Sequence, residues 1–262
     1  MLNDYSHKDR ISERYEQVKV FQGVNFMLIK TDRHTKEDLK LWEDYQELDM
    51  IKKYSKKKVE QSINVIIKFL SKNKKSCIMT SWGKDSIVLL DLFLKTKIKK
   101  PVVYMRFTDR ANPDCDKVRD AFLKKYDIDY HEELFEYSKV RKNGFHWKSL
   151  FEKYGKRCSG IRKDESGVRA LQWYINGFES SNSCRPLSLW ENQEIFAYIE
   201  QNNLPLSPVY GYLGGGRYKR EMLRTHSLAG SSGDGFGRTE WEREYYQDIL
   251  NRIEKGIVYE KK

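Results

Sequence analysis

The feature that most constrains this chain is an alternation of patterns between residues 76 and 134. Three short apolar runs, Ser76 to Thr80, Pro101 to Phe107 and Ile128 to Leu134, are separated by two segments of helical spacing, Ile87 to Lys95 and Pro113 to Lys125. In the second of these Val118, Ala121 and Phe122 fall on one face. Strands joined by crossover-length helices pair in parallel, because a tight hairpin cannot return the chain to the same end of a sheet. An α/β protein with a parallel sheet is the predicted fold class.

The turn between the first run and the first helix reads Ser81-Trp82-Gly83-Lys84-Asp85-Ser86. Holding a polyphosphate there requires amide hydrogens at a helix N-terminus, a residue that permits close approach, and positive charge. Gly83 permits the approach, Ser81 and Ser86 bring hydroxyl donors, and Lys84 brings the charge. Asp85 repels a bare phosphate, so it points to Mg2+ in the site or to a cap on the helix. The six residues do not follow the GxxxxGK[ST] pattern of other phosphate loops. Further on, Gly160-Ile161-Arg162-Lys163-Asp164-Glu165-Ser166 and then Arg169 group three cations. Arginine's planar fork and lysine's point charge suit phosphate or sulfate.

Three further blocks follow in order: Arg185 to Trp190 (RPLSLW), Glu194 to Ile199 (EIFAYI) and Leu204 to Tyr210 (LPLSPVY). The six-residue turn resembles the PP-loop of the ATP pyrophosphatases. From about Lys56 to Tyr210 the ordered set resembles the phosphoadenosine phosphosulfate (PAPS) reductase family, which includes the small subunit of ATP sulfurylase and FAD synthetase-like members. The resemblance implies a Rossmann-like (HUP/PP-loop) parallel five-stranded sheet with helices on both faces. It also implies ATP with Mg2+ as the bound species, open to attack at the α phosphorus. Ser81, Trp82, Gly83, Lys84, Asp85 and Ser86 are then expected to line the phosphates, with the Trp82 indole beside them where the family often has glycine. Asp109 is expected near the nucleotide, and Arg162, Lys163 and Arg169 at the anionic end of the substrate. Lys84, Asp85 and Arg162 are the expected catalytic residues, and Asp85 the expected Mg2+ ligand.

The sequence also departs from that family. Reductases of sulfonylated nucleotides use a cysteine in a C-terminal E-C-G-[IL]-H element, and no cysteine follows Cys184 here. Cys77, Cys115, Cys158 and Cys184 form no CxxC pair, so reduced thiols rather than an iron–sulfur cluster are expected. Phe151 to Ser159 (FEKYGKRCS) is basic and polar where the family has an apolar strand, and the stretch from Phe135 to Lys156 has no clear period.

Around the core, residues 1–55 read as an N-terminal extension with strand-like Phe21 to Ile29 and a polar helix from Lys36 to Lys53. Residues 56–210 read as the nucleotide domain, and 211–262 as a glycine-rich loop or lid followed by a helix from Thr239 to Lys255. The formal charge of +11 favours an anionic ligand or partner. Between Ile51 and Lys75 nine lysines stand against Glu60 alone, but Val59, Ile63, Ile66, Ile67 and Leu70 keep helical spacing between them. That spacing favours a solvated helix face over a surface that attracts nucleic acid or a polyanionic substrate. No run approaches the roughly 20 apolar residues that span a bilayer, and the polar start from Met1 to Arg14 predicts a cytoplasmic protein without membrane contact.

The leading expectation is an enzyme that cleaves ATP at the α phosphorus, by adenylyl transfer or by hydrolysis. The alternatives are a non-catalytic subunit that senses nucleotide or associates with nucleic acid, and a protein like the sulfate adenylyltransferase small subunit that needs a partner subunit. The expected ligands are ATP or a PAPS-like nucleotide, with nucleic acid or an anionic acceptor beside it, in a homo-oligomer.

Overall fold

The structure, a computed structural model, describes residues 27–137, 139–140, 146–225, 227–229 and 238–256. Strands β1 (Ser76–Thr80), β2 (Val102–Phe107), β3 (Tyr130–Phe135), β4 (Lys156–Cys158) and β5 (Ser183–Cys184) form one sheet in the order β3-β2-β1-β4-β5. Every pairing is parallel, with Ile78 opposite Val102, Val102 opposite Tyr130, Ser76 opposite Lys156, and Cys158 opposite Cys184. The helices are α1 (Lys36–Ile51), α2 (Lys56–Lys72), α3 (Lys84–Lys95), α4 (Asp114–Lys125), α5 (His146–Tyr154), α6 (Gly167–Asn176), α7 (Asn192–Gln201) and α8 (Arg238–Glu254).

Side chains alternate along a strand, so each strand feeds both faces of the sheet. Ile78, Val102 and Tyr104 join the main core with Phe69 of α2, Leu90 of α3, Val118 of α4 and Phe196 of α7. Cys77 and Val103 point the other way, onto Leu150 and Tyr154 of α5. Helices therefore cover both faces, and the sheet is Rossmann-like. From β1 the chain winds through β2 to β3 in one direction, then returns to β4 and β5 on the other side of β1. The carboxyl ends of β1 and β4 thus flank a topological switch point, the crevice in which open α/β sheets hold ligands.

Several elements differ from the sequence expectation. The stretch without a period contains α5, whose Trp147, Leu150, Phe151 and Tyr154 do keep helical spacing over only nine residues. β4 forms despite its polar composition, with Cys158 alone fully buried, because backbone pairing to β1 and β5 on both sides holds it. β5 lies at Ser183–Cys184, just ahead of the Arg185 to Trp190 block. Of the strand-like Phe21 to Ile29, residues 21–26 lie outside the described residues, and Leu28 makes a single parallel bridge to Leu206. The glycine-rich segment is no loose lid up to Thr225: Tyr212 and Leu213 are fully buried, and short 3-10 turns occupy Pro208–Gly211, Gly214–Gly216 and Arg220–Met222. Residues 230–237 of that segment lie outside the described residues.

Candidate active site

The chain leaves β1, turns through Ser81 to Gly83, and enters α3 at Lys84, with Gly83 as the N-cap. Trp82 takes φ +58, the left-handed conformation that explains why glycine is common at this position. The turn sends its indole inward, away from the crevice, where it is wholly buried against Tyr104, Phe122 and Tyr130 at 6.4, 5.9 and 5.6 Å. The expected indole beside the phosphates is not there; Trp82 gives the loop only its backbone. Ser81 and Ser86 face each other, their hydroxyls 3.0 Å apart, and the Ser81 amide donates to Ser86 Oγ at 3.0 Å. Gly83 is required by close approach: a Cβ there would lie 2.6 Å from Thr225 Oγ1 and 3.1 Å from the Tyr210 hydroxyl.

Lys84 and Arg162, expected to grip the anion, grip Asp85 instead. Lys84 Nζ is 3.0 Å from Asp85 Oδ2, and Arg162 Nε is 2.5 Å from Asp85 Oδ1. Lys84 is fully buried beneath the loop, its ammonium 5.4 Å from the Tyr210 ring and 5.8 Å from the Phe196 ring. Burial pulls it down to about 8, against the opposing pull of Asp85. Burial alone would raise Asp85, but Lys84 and Arg162 hold its carboxyl below the ordinary value. Arg162 is satisfied on every side, donating also to Asp164 at 2.5 Å and to Asn192 Oδ1 at 3.2 Å. The three groups form a buried ionic cluster that ties the loop after β1 to the loop after β4. Gly160 completes that junction, because a Cβ on it would meet the Asp85 carbonyl at 2.8 Å.

Beside this cluster a cavity of about 280 Å³ opens over the switch point. Its lining combines apolar side chains, Met79 of β1, Met105 of β2 and the half-exposed Trp147 of α5, with polar ones. The polar lining includes Ser81, Ser86, Arg169 and Arg224 together with the carboxylates Asp85 and Glu165. Arg169 pairs with Glu165, and burial followed by the neighbouring Arg224 lowers its pKa. Arg224 donates to the Glu221 and Leu223 carbonyls at 2.8 and 3.1 Å. Thr225 Oγ1 donates to the Ser81 carbonyl at 3.3 Å, and the Tyr210 hydroxyl accepts from the Lys84 amide at 3.0 Å.

Of the residues expected at the site, Ser81, Gly83, Asp85, Ser86 and Arg169 border the cavity, whereas Trp82, Lys84, Asp109, Arg162 and Lys163 do not. Asp109 follows β2 as expected, but its Oδ1 accepts from the Tyr137 amide at 2.8 Å. The Lys163 amide donates to the Ser188 carbonyl at 3.1 Å, in the 3-10 turn Lys163–Glu165. Sequence reasoning missed Arg224, Thr225 and Trp147. The first two lie within the segment read as a lid, and the third in the stretch without a period. A helical count through Trp147, Leu150 and Tyr154 is the signal that finds the third.

Asp85 does not fit the expected role of Mg2+ ligand, since both its carboxylate oxygens are already ion-paired. Among the described residues no group of three or more His, Cys, Asp or Glu is arranged to hold a metal ion. All four cysteines are buried. Burial pushes the Cys77 and Cys115 thiols up to about 12 and also raises Cys158, which lies against Cys184, well above its ordinary value. No described helix is long and apolar enough to cross a membrane.

Residues 75–213 match the family model of the phosphoadenosine phosphosulfate reductase domain. An adenosine 5'-phosphosulfate reductase of Staphylococcus haemolyticus is 29% identical over 153 residues, covering 50% of this chain and 63% of the relative. One from Oceanobacillus iheyensis is 22% identical over 152 residues, with the same shares, 50% and 63%. The match thus spans less than two thirds of the length of these curated relatives. Among solved structures, Candida glabrata FMN adenylyltransferase in complex with ATP aligns over 67% of this chain and 68% of its own, at 16% identity and TM-score 0.46.

Proposed function

The chain belongs to the phosphoadenosine phosphosulfate reductase domain family, and from that premise we propose that it binds ATP at the switch point and cleaves it between the α and β phosphates. The observation that carries this reading is the mixed lining of the cavity over the switch point. Its apolar members Met79, Met105 and Trp147 suit a purine, and its polar members Ser81, Ser86, Arg169 and Arg224 suit a polyphosphate. Ser81 and Ser86 now spend their hydroxyls on each other and can turn them toward phosphate oxygens. Arg169 and Arg224 take up charge that develops on the leaving pyrophosphate. The buried cluster of Lys84, Asp85 and Arg162 acts one step back, holding the two loops at a fixed separation so that those groups converge. A Mg2+ ion that arrives with ATP draws its ligands from the phosphates and water. Reduction of a sulfonyl group is disfavoured, because each cysteine is buried and its thiol kept from ionising by burial at Cys77, Cys115 and Cys158.

Incubation with ATP labelled at the α phosphorus tests the proposal. The expected products are pyrophosphate with labelled AMP or a labelled adenylate, in hydrolysis or in transfer to an anionic acceptor. Labelled ADP as sole product overturns it. A second reading, nucleotide binding without turnover, draws support from the neutralisation of Lys84 and Arg162 by Asp85. It predicts ATP retention in equilibrium dialysis with no labelled product after addition of a partner subunit or acceptor.

A further inference from the structure

At the opposite end of the sheet from this cavity, the loops that precede β2 and β3 bound a groove. Two depressions of about 530 and 380 Å³ adjoin there and share Asp127 and Ile128. Lys97, Lys99 and Lys100 line one depression, and Lys124 and Lys125 line the other together with Tyr126. Lys124 and Lys125 end α4, where positive charge offsets the helix dipole, but Lys97, Lys99 and Lys100 lie beyond α3 and have no such role. Asp127 and Asp129 also border the groove. Even so, none of the five lysines makes an ion pair among the described residues, and Asp129 is engaged with His131 at 2.8 Å. Lys100 and Lys125 are oriented by carbonyls, Lys100 by those of Asn73 and Lys74 and Lys125 by that of Asn203, the last at 3.0 Å.

We propose that this lysine-lined groove binds the phosphate backbone of a nucleic acid. Uncompensated cations along two adjoining depressions, with Tyr126 on the lining of one, match the way backbone-tracking proteins hold a strand. A membrane surface fits less well. None of the large apolar side chains that stand exposed among the described residues borders the groove, so nothing there inserts below lipid headgroups. The sequence's basic stretch, Ile51 to Lys75, contributes none of these five lysines, which come from the loop before β2 and the end of α4. Because groove and cavity occupy opposite ends of the strands, a bound strand leaves the candidate active site open.

Fluorescence anisotropy with a labelled mixed-sequence 20-nucleotide single strand, and with the matching duplex, tests this on the whole protein. Binding is expected at 50 mM salt and is expected to weaken by 200 mM, roughly 50-fold for the single strand and roughly 150-fold for the duplex, if about four phosphates are contacted. The variant Lys97→Glu/Lys99→Glu/Lys124→Glu is expected to lose at least tenfold in affinity. Lys53→Glu/Lys56→Glu/Lys57→Glu, an equal charge change outside the groove, is expected to lose less than threefold. Equal losses in the two variants overturn the assignment to the groove. Absence of binding by wild-type protein at 50 mM salt, or tighter binding to phosphatidylserine vesicles than to either oligonucleotide, overturns the assignment to nucleic acid.

Discussion

Trp82 shows how one residue can satisfy a loop and a core at once. A non-glycine residue at φ +58 costs about 1–2 kcal/mol, and burial of an indole among three aromatic rings offsets that several times over. Trp82→Gly should relieve the backbone and leave a cavity, a net loss of about 2–4 kcal/mol in chemical denaturation. Because the indole faces away from the crevice, ATP affinity of the folded variant should stay within threefold. A tenfold loss of affinity at unchanged stability puts the indole against the nucleotide and contradicts the geometry. The same residues mark where sequence reasoning stops. The motif marks the turn between β1 and α3, and of its residues Ser81, Gly83, Asp85 and Ser86 border the cavity. Which cation pairs with which anion was not legible, because Asp85 and Arg162 are 77 positions apart and meet only through the pairing of β4 with β1.

At the scale of elements, β1, β2, α3 and α4 were legible because continuous apolar runs and helical spacing coincide with the correct lengths. β4 and β5 were not, since strands of three and two residues draw their stability from neighbours on the sheet rather than from their own composition. The turn after Tyr210 was misread for a related reason: its glycines suggested mobility, whereas its anchors are distant in sequence. Arg220 is the main anchor. It pairs in bidentate fashion with buried Asp49 of α1, at 2.6 and 2.8 Å, and its guanidinium lies 4.1 Å from the Phe196 ring and 4.2 Å from the Tyr45 ring. Four and five residues later the same strap delivers Arg224 and Thr225 to the cavity. Arg220→Ala strands a buried carboxylate and should cost about 3–5 kcal/mol. It should also weaken ATP binding at least fivefold, although Arg220 does not border the cavity. Adding Asp49→Ala should recover part of the stability but not the affinity. Recovery of both by the double variant would mean that the strap positions nothing.

At the scale of the whole molecule, two buried carboxylates join the segments before and after the matched family domain to the sheet. Asp38 of α1 accepts from the Leu213 and Gly215 amides at 3.2 and 3.1 Å and from the Tyr245 hydroxyl of α8 at 2.8 Å. Asp114, the first residue of α4, accepts from the Tyr212 and Tyr246 hydroxyls at 2.8 and 2.6 Å and pairs with Lys117 at 3.0 Å. Tyr212 also stacks on Tyr245, ring centroids 4.7 Å apart, and its carbonyl accepts from the Trp241 indole at 2.9 Å. These contacts interlock α1, α4, α8 and the turn after Tyr210, so no one of them can open without exposing the polar groups of another. Asp114→Ala removes the acceptor of the buried Tyr246 hydroxyl, at about 1–3 kcal/mol, and leaves Tyr212 only Thr31 Oγ1 at 2.9 Å. The loss should therefore fall on global stability, with tryptophan fluorescence and far-ultraviolet circular dichroism following one coincident denaturation curve shifted to lower denaturant. If α8 and the turn were an appendage hung on an independent sheet, the variant would instead unfold in two steps. The first step would then change the fluorescence of Trp241 and leave ATP binding intact. Coincident curves, with ATP affinity lost along the same transition, are the outcome that the shared carboxylates require.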